Sequence, residues 1–454
     1  MKKISVIGLG YVGLVTLCCF SYLGYNVIGT DIDKKKIRQL TKGTCPFYEP
    51  ELDSLLERGL QNNTINFTED VGSAVRETDI VFICVGTPQD ITGDVDLSHV
   101  ENVSKIIGEN MNGYKVIVEK STVPVKTAEK IRAIITNKNN VLNNSVTFSI
   151  ASNPEFLREG EAVKNFLEPE RIVIGTDNET AQKWLDEIYQ SFSCPKIFTD
   201  ITTSELIKYA CNSFLAMKIS YINLMADVCD KIDADIDTLS LVMGMDQRIG
   251  KSYLHAGIGY GGSCLLKDVN TFSKTLGQYE IHAGILQEVS EINSKRINRI
   301  LEKARLHFNE LNGLKVTILG LAFKKNTDDI RESQSIKLIE RLALEECHIS
   351  CYDPKAMKNA KGYFKSKKYN VEFSDNPYTI LNKANLVFIM TDWDEFSQID
   401  FSILKASSHN TVIIDGKNFL DAKTIASYGL KYEGVGRKRN NDVINQNFTT
   451  TDLA

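Results

Sequence analysis

Cys264 stands apart from the nine other cysteines of this 454-residue sequence. It closes the run Gly257-Ile258-Gly259-Tyr260-Gly261-Gly262-Ser263-Cys264, and Lys267 and Asp268 follow it. Glycines permit positive φ and let a backbone approach a ligand closely. A thiol after such a loop, with a cation three residues on, is placed to be accessible and activated as thiolate. A tight turn with a buried thiol is the other reading of the same residues. Lys208 and Asn212 are four apart in a helical pattern and share one face. An ammonium and an amide there suit a developing oxyanion, although a solvated polar stripe is the simpler reading. The run Asn153-Pro154-Glu155-Phe156-Leu157-Arg158-Glu159 puts two carboxylates and an arginine on one loop.

A second constellation lies at the start of the chain. Gly8-Leu9-Gly10-Tyr11-Val12-Gly13 is GxGxxG, between an extended β-branched run and a helical one, and a further extended run ends in Asp31. That context makes the motif a dinucleotide site. Gly8 makes the tight turn, and Gly10 lets a pyrophosphate reach the backbone and the helix N-terminus. Gly13 lets helix and strand pack. Asp31 accepts from the adenosine ribose, and its charge, with Asp33 beside it, repels a 2′-phosphate, so NAD is favoured over NADP. Lys36, at the start of the next helix, is within reach of ribose or phosphate.

NAD implies hydride transfer, and an alcohol dehydrogenase needs only a base. A thiol becomes necessary when an aldehyde must lose hydride. Sulfur adds to give a thiohemiacetal, hydride leaves to give a thioester, and water hydrolyses it. NAD with Cys264 therefore points to oxidation to the acid level.

These groups need a scaffold. Strand candidates are Ile4–Gly8, Val27–Asp31, Ile80–Val85, Lys115–Glu119, Thr147–Ala151 and Arg171–Gly175, with helical patterns between, including Asp96–Asn110 and Lys126–Ile135. Alternation of this kind predicts a doubly wound parallel sheet. Ligands bind at the carboxyl ends of such strands. Thr87-Pro88, Ser121-Thr122-Val123-Pro124 and Asn153–Glu159 all follow strands and are expected to line one crevice. Near Thr202 the texture changes. Thr202-Thr203-Ser204-Glu205 has capping-box spacing, and an apolar-periodic segment runs on to about Ile232, long enough for a helix of about 40 Å. Helical sequence continues to about Asn309. A second, smaller α/β part has strands in Leu314–Phe323, His348–Asp353, Asn385–Thr391 and Thr411–Asp415, with no GxGxxG and so no expectation of a second NAD. The expected fold class is α/β, with two Rossmann-like doubly wound parallel-sheet domains joined by a long central helix and a helical segment. The expected division is 1–200, 201–310 and 311–435, with 436–454 read as a disordered tail.

Composition narrows the function classes. Lys and Arg number 53 against 58 Asp and Glu, a formal net charge of −5, with 24% charged and 43% hydrophobic residues. This is the composition of a globular chain, without the basic footprint of a nucleic-acid binder or a membrane-surface anchor. Residues 4–30 carry no charge, but five glycines interrupt them and Asp31 ends them. They read as strand, turn, helix and strand, not as a signal peptide or membrane span. The cysteines form no CxxC pair, and Cys347-His348-Cys351 has no second ligand cluster in sequence, so reduced thiols in the cytoplasm are expected and no metal site is.

The motifs together resemble the UDP-glucose/GDP-mannose dehydrogenase family over almost the whole chain to about residue 435. The resemblance rests on Gly8–Gly13 continuing Leu14-Val15-Thr16, on Tyr48-Glu49-Pro50, Val85-Gly86-Thr87-Pro88, Lys120–Pro124, Asn153–Glu159, Gly257–Cys264 with Lys267-Asp268, Gly320-Leu321-Ala322-Phe323-Lys324 and Asp329-Ile330-Arg331-Glu332-Ser333. It implies that Cys264 is the nucleophile, that Lys208 stabilises the oxyanion beside Asn212, and that Asp268 helps activate water or the alcohol. It implies that Thr122 orders water beside the nicotinamide and that Glu155, Phe156, Leu157, Arg158 and Glu159 contact substrate, with Glu159 also near NAD. Gly8, Gly10, Tyr11, Val12, Gly13, Asp31, Lys36, Thr87, Lys267 and Arg331 are the remaining expected NAD contacts. Lys324 and the segment Tyr253–Gly261, with Gly257, are expected to hold a UDP-sugar. Arg248 matches an arginine that reaches the partner subunit's substrate, which makes a homodimer the expected assembly. Two departures stand out. Leu265-Leu266 follow Cys264 where the family has an aromatic residue or Leu and then Pro, and Lys417 stands in Asp415-Gly416-Lys417-Asn418 where Arg is common.

The expected reaction is UDP-glucose with two NAD and water giving UDP-glucuronate and two NADH. The same chemistry on a UDP-N-acetylhexosamine is the alternative. A non-catalytic NAD-binding regulator is disfavoured by the presence of Cys264, Lys208, Asn212 and Asp268 together. A two-electron hydroxyacid dehydrogenase has no use for Cys264.

Overall fold

The computed structural model describes residues 2–90, 93–142, 146–407 and 411–438. The expected tail lies outside the described residues from 439 onward. The chain divides into two compact units, one of residues 1–212 and 270–282, the other of residues 213–269 and 283–454.

The first unit holds an eight-stranded sheet. Its strands are β1 (Ile4–Ile7), β2 (Val27–Thr30), β3 (Ile65–Thr68), β4 (Ile80–Ile83), β5 (Lys115–Glu119), β6 (Phe148–Ser152), β7 (Ile172–Thr176) and β8 (Lys196–Thr199), in the order β3-β2-β1-β4-β5-β6-β7-β8. Alternate residues feed two cores. Ile80 and Phe82 of β4 and Val116 and Val118 of β5 pack with Leu14, Leu17 and Phe20 of the first helix. Val81, Ile83 and Ile117 pack on the opposite face with Val103, Ile107 and Ile131. Both faces are thus covered, as a doubly wound sheet requires.

The sequence reading expected a parallel sheet, and this one is not parallel throughout. β7 pairs antiparallel to β6, Ala151 opposite Thr176, and β8 then runs parallel to β7. A reversed edge is common on such sheets. Hydrophobic patterning reports which face a residue occupies and carries no information on strand direction.

The second unit holds a wholly parallel six-stranded sheet of β9 (Lys315–Leu319), β10 (His348–Tyr352), β11 (Val371–Phe373), β12 (Leu386–Ile389), β13 (Val412–Asp415) and β14 (Lys431–Gly434), ordered β11-β10-β9-β12-β13-β14. Its core joins Ile318, Phe388 and Ile413 to Ile222 and Ala226 of the long helix. That helix is Ile201–Ile232, 32 residues, or about 48 Å at 1.5 Å per residue.

The helix does not start by the expected capping box. Asp200 accepts from the Thr203 N–H at 2.8 Å. Glu205 turns away to the helix Thr127–Val141, accepting from the N–H groups of Lys126 (2.6 Å) and Ala128 (2.9 Å). The spacing suits a box, but another helix's unpaired N-terminal N–H groups compete for the same carboxylate.

Candidate active-site residues

In the first unit the turn after β1 has the geometry that a pyrophosphate needs. Gly8 has φ +93°, and a Cβ there would lie 2.7 Å from the Cys84 carbonyl oxygen. A Cβ on Gly13 would lie 1.8 Å from the Gly8 carbonyl oxygen, so helix and turn meet backbone to backbone. Gly10 precedes the helix Tyr11–Tyr22, and a Cβ there meets nothing within 4 Å. The open side of the turn is therefore the side of Gly10 and the helix N-terminus, where an anion is favoured. Asp31, just past β2, accepts from Leu9 N–H at 2.8 Å, from Asp33 N–H at 2.9 Å and from Lys36 Nζ at 2.7 Å. Burial works against its charge, but the Lys36 ammonium and the two backbone N–H groups outweigh it and hold the carboxyl below its usual range. Lys36 thus serves Asp31 directly, and Asp33 caps the following helix through Lys35 and Lys36 N–H. These residues fit NAD. Glycines shape the turn, a helix opens on it, and an ionised carboxylate ends the second strand.

The loops after β4, β5 and β6 come together as expected. Thr87 Oγ1 donates to the Thr122 carbonyl at 2.8 Å, and Ser121 Oγ to the Val85 carbonyl at 2.8 Å. Lys120 Nζ, buried, donates to Asn153 Oδ1 at 3.1 Å, which also accepts from Tyr189 OH at 2.6 Å. Desolvation pulls the Lys120 ammonium down to about 8. In the sequence Lys120 is only one letter of a motif, with nothing to mark its amine as buried. Glu49 is equally unmarked there, yet it is 2% exposed and accepts from Gly160 N–H (2.6 Å) and Ala162 N–H (2.7 Å), fixing the far end of the Asn153–Glu159 loop.

Within that loop Glu155 accepts from Leu157 N–H at 2.6 Å. Its carboxylate lies 2.9 Å from Lys208 Nζ, which also donates to the Glu155 carbonyl at 2.7 Å. Lys208 and Asn212 are 5% and 7% exposed, so the solvated polar stripe is corrected. A buried ammonium requires a partner, and Glu155, 53 positions away, is invisible to a helical-wheel argument. Phe156 lies under the Arg171 guanidinium at 4.1 Å, and Arg158 stays near the surface, paired with Glu161 at 3.0 Å.

In the second unit Cys264 is the one exposed thiol of the ten, which settles its two sequence readings in favour of access. Its carbonyl accepts from Asp268 N–H at 2.8 Å, so it stands immediately before the helix Leu265–Gln278, whose N-terminal end favours negative charge. Lys267 Nζ pairs with Asp268 Oδ1 at 2.8 Å, and Asp268 is 1% exposed. Gly262 N–H donates to the Arg331 carbonyl at 3.0 Å, and the Arg331 side chain forks onto Asp329 at 2.6 to 3.0 Å. Tyr253 has φ +65°. Lys324 Nζ lies 5.7 Å from the Phe323 ring centre. The Arg248 side chain is 90% exposed and pairs with Asp246 at 2.6 Å.

Three domain models of the UDP-glucose/GDP-mannose dehydrogenase family match the chain: the NAD-binding domain over residues 2–193, the central domain over 202–295 and the UDP-binding domain over 317–422. UDP-glucose 6-dehydrogenase TuaD of Bacillus subtilis is 39% identical over 437 residues, 96% of this chain and 94% of that protein. The structure of a UDP-glucose dehydrogenase from the archaeon Pyrobaculum islandicum is similar at a TM-score of 0.89 and 34% identity, covering 96% and 98% of the two chains. That of a UDP-D-ManNAc dehydrogenase from Pyrococcus horikoshii is similar at 0.82 and 27%, covering 96% and 99%.

Proposed function

Since the chain belongs to the UDP-glucose/GDP-mannose dehydrogenase family, we propose that it oxidises UDP-glucose at C6 to UDP-glucuronate, through a thiohemiacetal and a thioester on Cys264. NAD, when bound, is the hydride acceptor for both oxidations. The carrying observation is the exposure of Cys264 at the end of a glycine loop while the other nine thiols are buried or half-buried. Sulfur adds to the C6 aldehyde, and after the second oxidation water displaces the thiolate, releasing the acid.

In this reading Lys208 and Asn212 stabilise the oxyanion, and Asp268 and Thr122 manage water. Glu155 to Glu159, Tyr253 to Gly261 and Lys324 hold the UDP-sugar, while Asp31, Lys267 and Arg331 serve NAD. The three functional segments are 1–200, 201–310 and 311–435. The long helix supports a homodimer. Phe214, Tyr221, Leu224 and Val228 recur at helical spacing and are 57%, 48%, 40% and 41% exposed. A stripe of this kind suits a partner helix. Arg248, exposed after the next helix, is the residue assigned to the partner subunit's substrate. None of the ten cysteines is in a disulfide, in keeping with a reducing cytoplasm, and no described helix is long and apolar enough to cross a membrane.

The test is to count NADH per UDP-glucose consumed. Two are expected, and Cys264→Ala is expected to form no uronate. One NADH per sugar, or uronate from that variant at the native rate, would overturn the mechanism. A UDP-N-acetylhexosamine assayed in parallel is expected to yield less NADH; the reverse order would move the protein to that branch.

A further inference from the structure

The segment Gly257–Gly262 has neither helix nor strand of its own, so its peptide groups need other partners. Backbone carbonyls accept from two of them, that of Gly416 from Ile258 N–H at 2.8 Å and that of Arg331 from Gly262 N–H at 3.0 Å, and buried side chains, each from a different helix, serve Gly257 and Tyr260. Asn223, on the long helix, accepts from Gly257 N–H at 2.8 Å. Arg296, first residue of the helix Arg296–Arg305, donates from Nε to the Gly257 carbonyl at 3.2 Å and from Nη1 to the Asn223 carbonyl (3.3 Å) and Asp227 (2.7 Å). Asn293, on the helix Gly284–Ser294, grips both sides of Tyr260. Its Oδ1 accepts from the N–H at 2.9 Å, and its Nδ2 donates to the carbonyl at 3.1 Å. Gln334, opening the helix Gln334–Leu344, donates to the same carbonyl at 3.0 Å.

The fit leaves no slack. Gly259 has φ +86°, and a Cβ there would lie 2.2 Å from Asn293 Oδ1. Asn223, Asn293, Arg296 and Gln334 are at most 4% exposed. Burying amides and a guanidinium is costly unless each is hydrogen-bonded. An apolar core would hold the four helices together without that cost. What the polar set adds is one fixed curve of a chain that glycines leave otherwise pliable.

We infer that Asn223, Asn293, Arg296 and Gln334 are positioning residues that hold Gly257–Gly262 in the form that receives the diphosphate sugar and presents Cys264, two residues beyond. This rests on the assignment of that loop to substrate made above. Asn293→Asp keeps the acceptor for Tyr260 N–H but sets a carboxylate against the Tyr260 carbonyl. Gln334→Met keeps the volume and removes the other donor to that carbonyl. Each variant and the native protein are titrated with UDP by calorimetry and assayed with UDP-glucose and NAD, with circular dichroism reporting the fold. One lost buried hydrogen bond is expected to raise the UDP Kd and the UDP-glucose KM about ten-fold, with the NAD KM within about two-fold of native. Should Asn293→Asp fail to fold, Gln334→Met decides. An unchanged UDP Kd in a folded variant, or equal losses of NAD and UDP-glucose affinity, would overturn the assignment. A native protein that binds UDP but releases no NADH from UDP-glucose counts against the reaction, and the UDP titrations still decide the clamp.

Discussion

Asp31 and Asp353 stand at the same point of two sheets with the same order of their first strands, and they hold the facing turns differently. Each follows the strand next to the first, β2 in one case and β10 in the other. Each faces a turn that begins with a glycine of positive φ, Gly8 at +93° and Gly320 at +97°. Asp31 takes one N–H from its turn, Leu9, and the next residue is Gly10, open to its surroundings. Asp353 takes two, Leu321 at 2.7 Å and Ala322 at 3.1 Å, together with the Trp393 indole at 3.1 Å, and Ala322 is fully buried. The first turn has a place for a pyrophosphate. In the second, a carboxylate has taken the N–H groups a phosphate would use.

The first prediction concerns that carboxylate. Asp31→Ala removes the partner of Lys36 and Leu9 N–H as well as the proposed ribose acceptor. Hydrogen bonds to a charged group contribute about 1.5–3 kcal/mol, so the NAD Kd is expected to rise at least about ten-fold. Calorimetry with NAD measures it, and an unaltered affinity would remove Asp31 from the cofactor site.

Lys208 and Glu155 yield a second prediction. Both are nearly enclosed, with side chains 7% and 6% exposed, and they pair at 2.9 Å. Breaking a buried pair from one side costs about 3–5 kcal/mol. Lys208→Met is expected to lower the melting temperature by several degrees and to abolish uronate formation. Glu155→Gln keeps an acceptor for the ammonium and is expected to lose less stability. Scanning calorimetry on both variants checks the order; Lys208→Met melting at the native temperature would show the pair to be solvated.

A third prediction follows from Lys120 and runs through pH. Desolvation lowers its folded value to about 8 from the ordinary 10.5 of a lysine. Between those values the unfolded chain keeps a proton that the folded protein has released. Stability from this group therefore rises with pH across that window. Lys120→Met lacks the titration, so the native protein is expected to gain on the variant as pH climbs from about 8 to 10. Denaturant melts of both proteins at several pH values give the difference. A flat difference would mean the amine is no more buried than an ordinary surface lysine.

Much of the fold and of the cofactor turn is legible in the sequence itself, and the reason is local. Gly8, Gly10, Gly13 and Asp31 do their work within one βαβ unit, so their spacing carries the geometry. Cys264 is legible because its glycines precede it directly. Four strands are not: β3, β8, β11 and β14 are the edge strands of the two sheets, and the first three carry no run of buried residues that would mark them as strands. Glu205 misleads because its true partners, Lys126 and Ala128, lie 77 to 79 positions away. Asn293 and Gln334 are hidden for a related reason. A polar residue on an amphipathic helix reads as solvent-facing until the loop it clamps is found, and Tyr260 lies 33 and 74 positions distant.

The clamp on Gly257–Gly262 has a consequence for how the molecule comes to life. Its members are spread from Asn223 to Gln334, so no fragment ending before that glutamine contains the whole set. During synthesis, which runs from the N-terminus, the Cys264 sulfur emerges some seventy residues before Gln334, the last brace of the loop beside it. On the proposed mechanism a nascent chain therefore carries its nucleophile for a time before the loop beside it can be held, and competence arrives late, as a property of the finished protein.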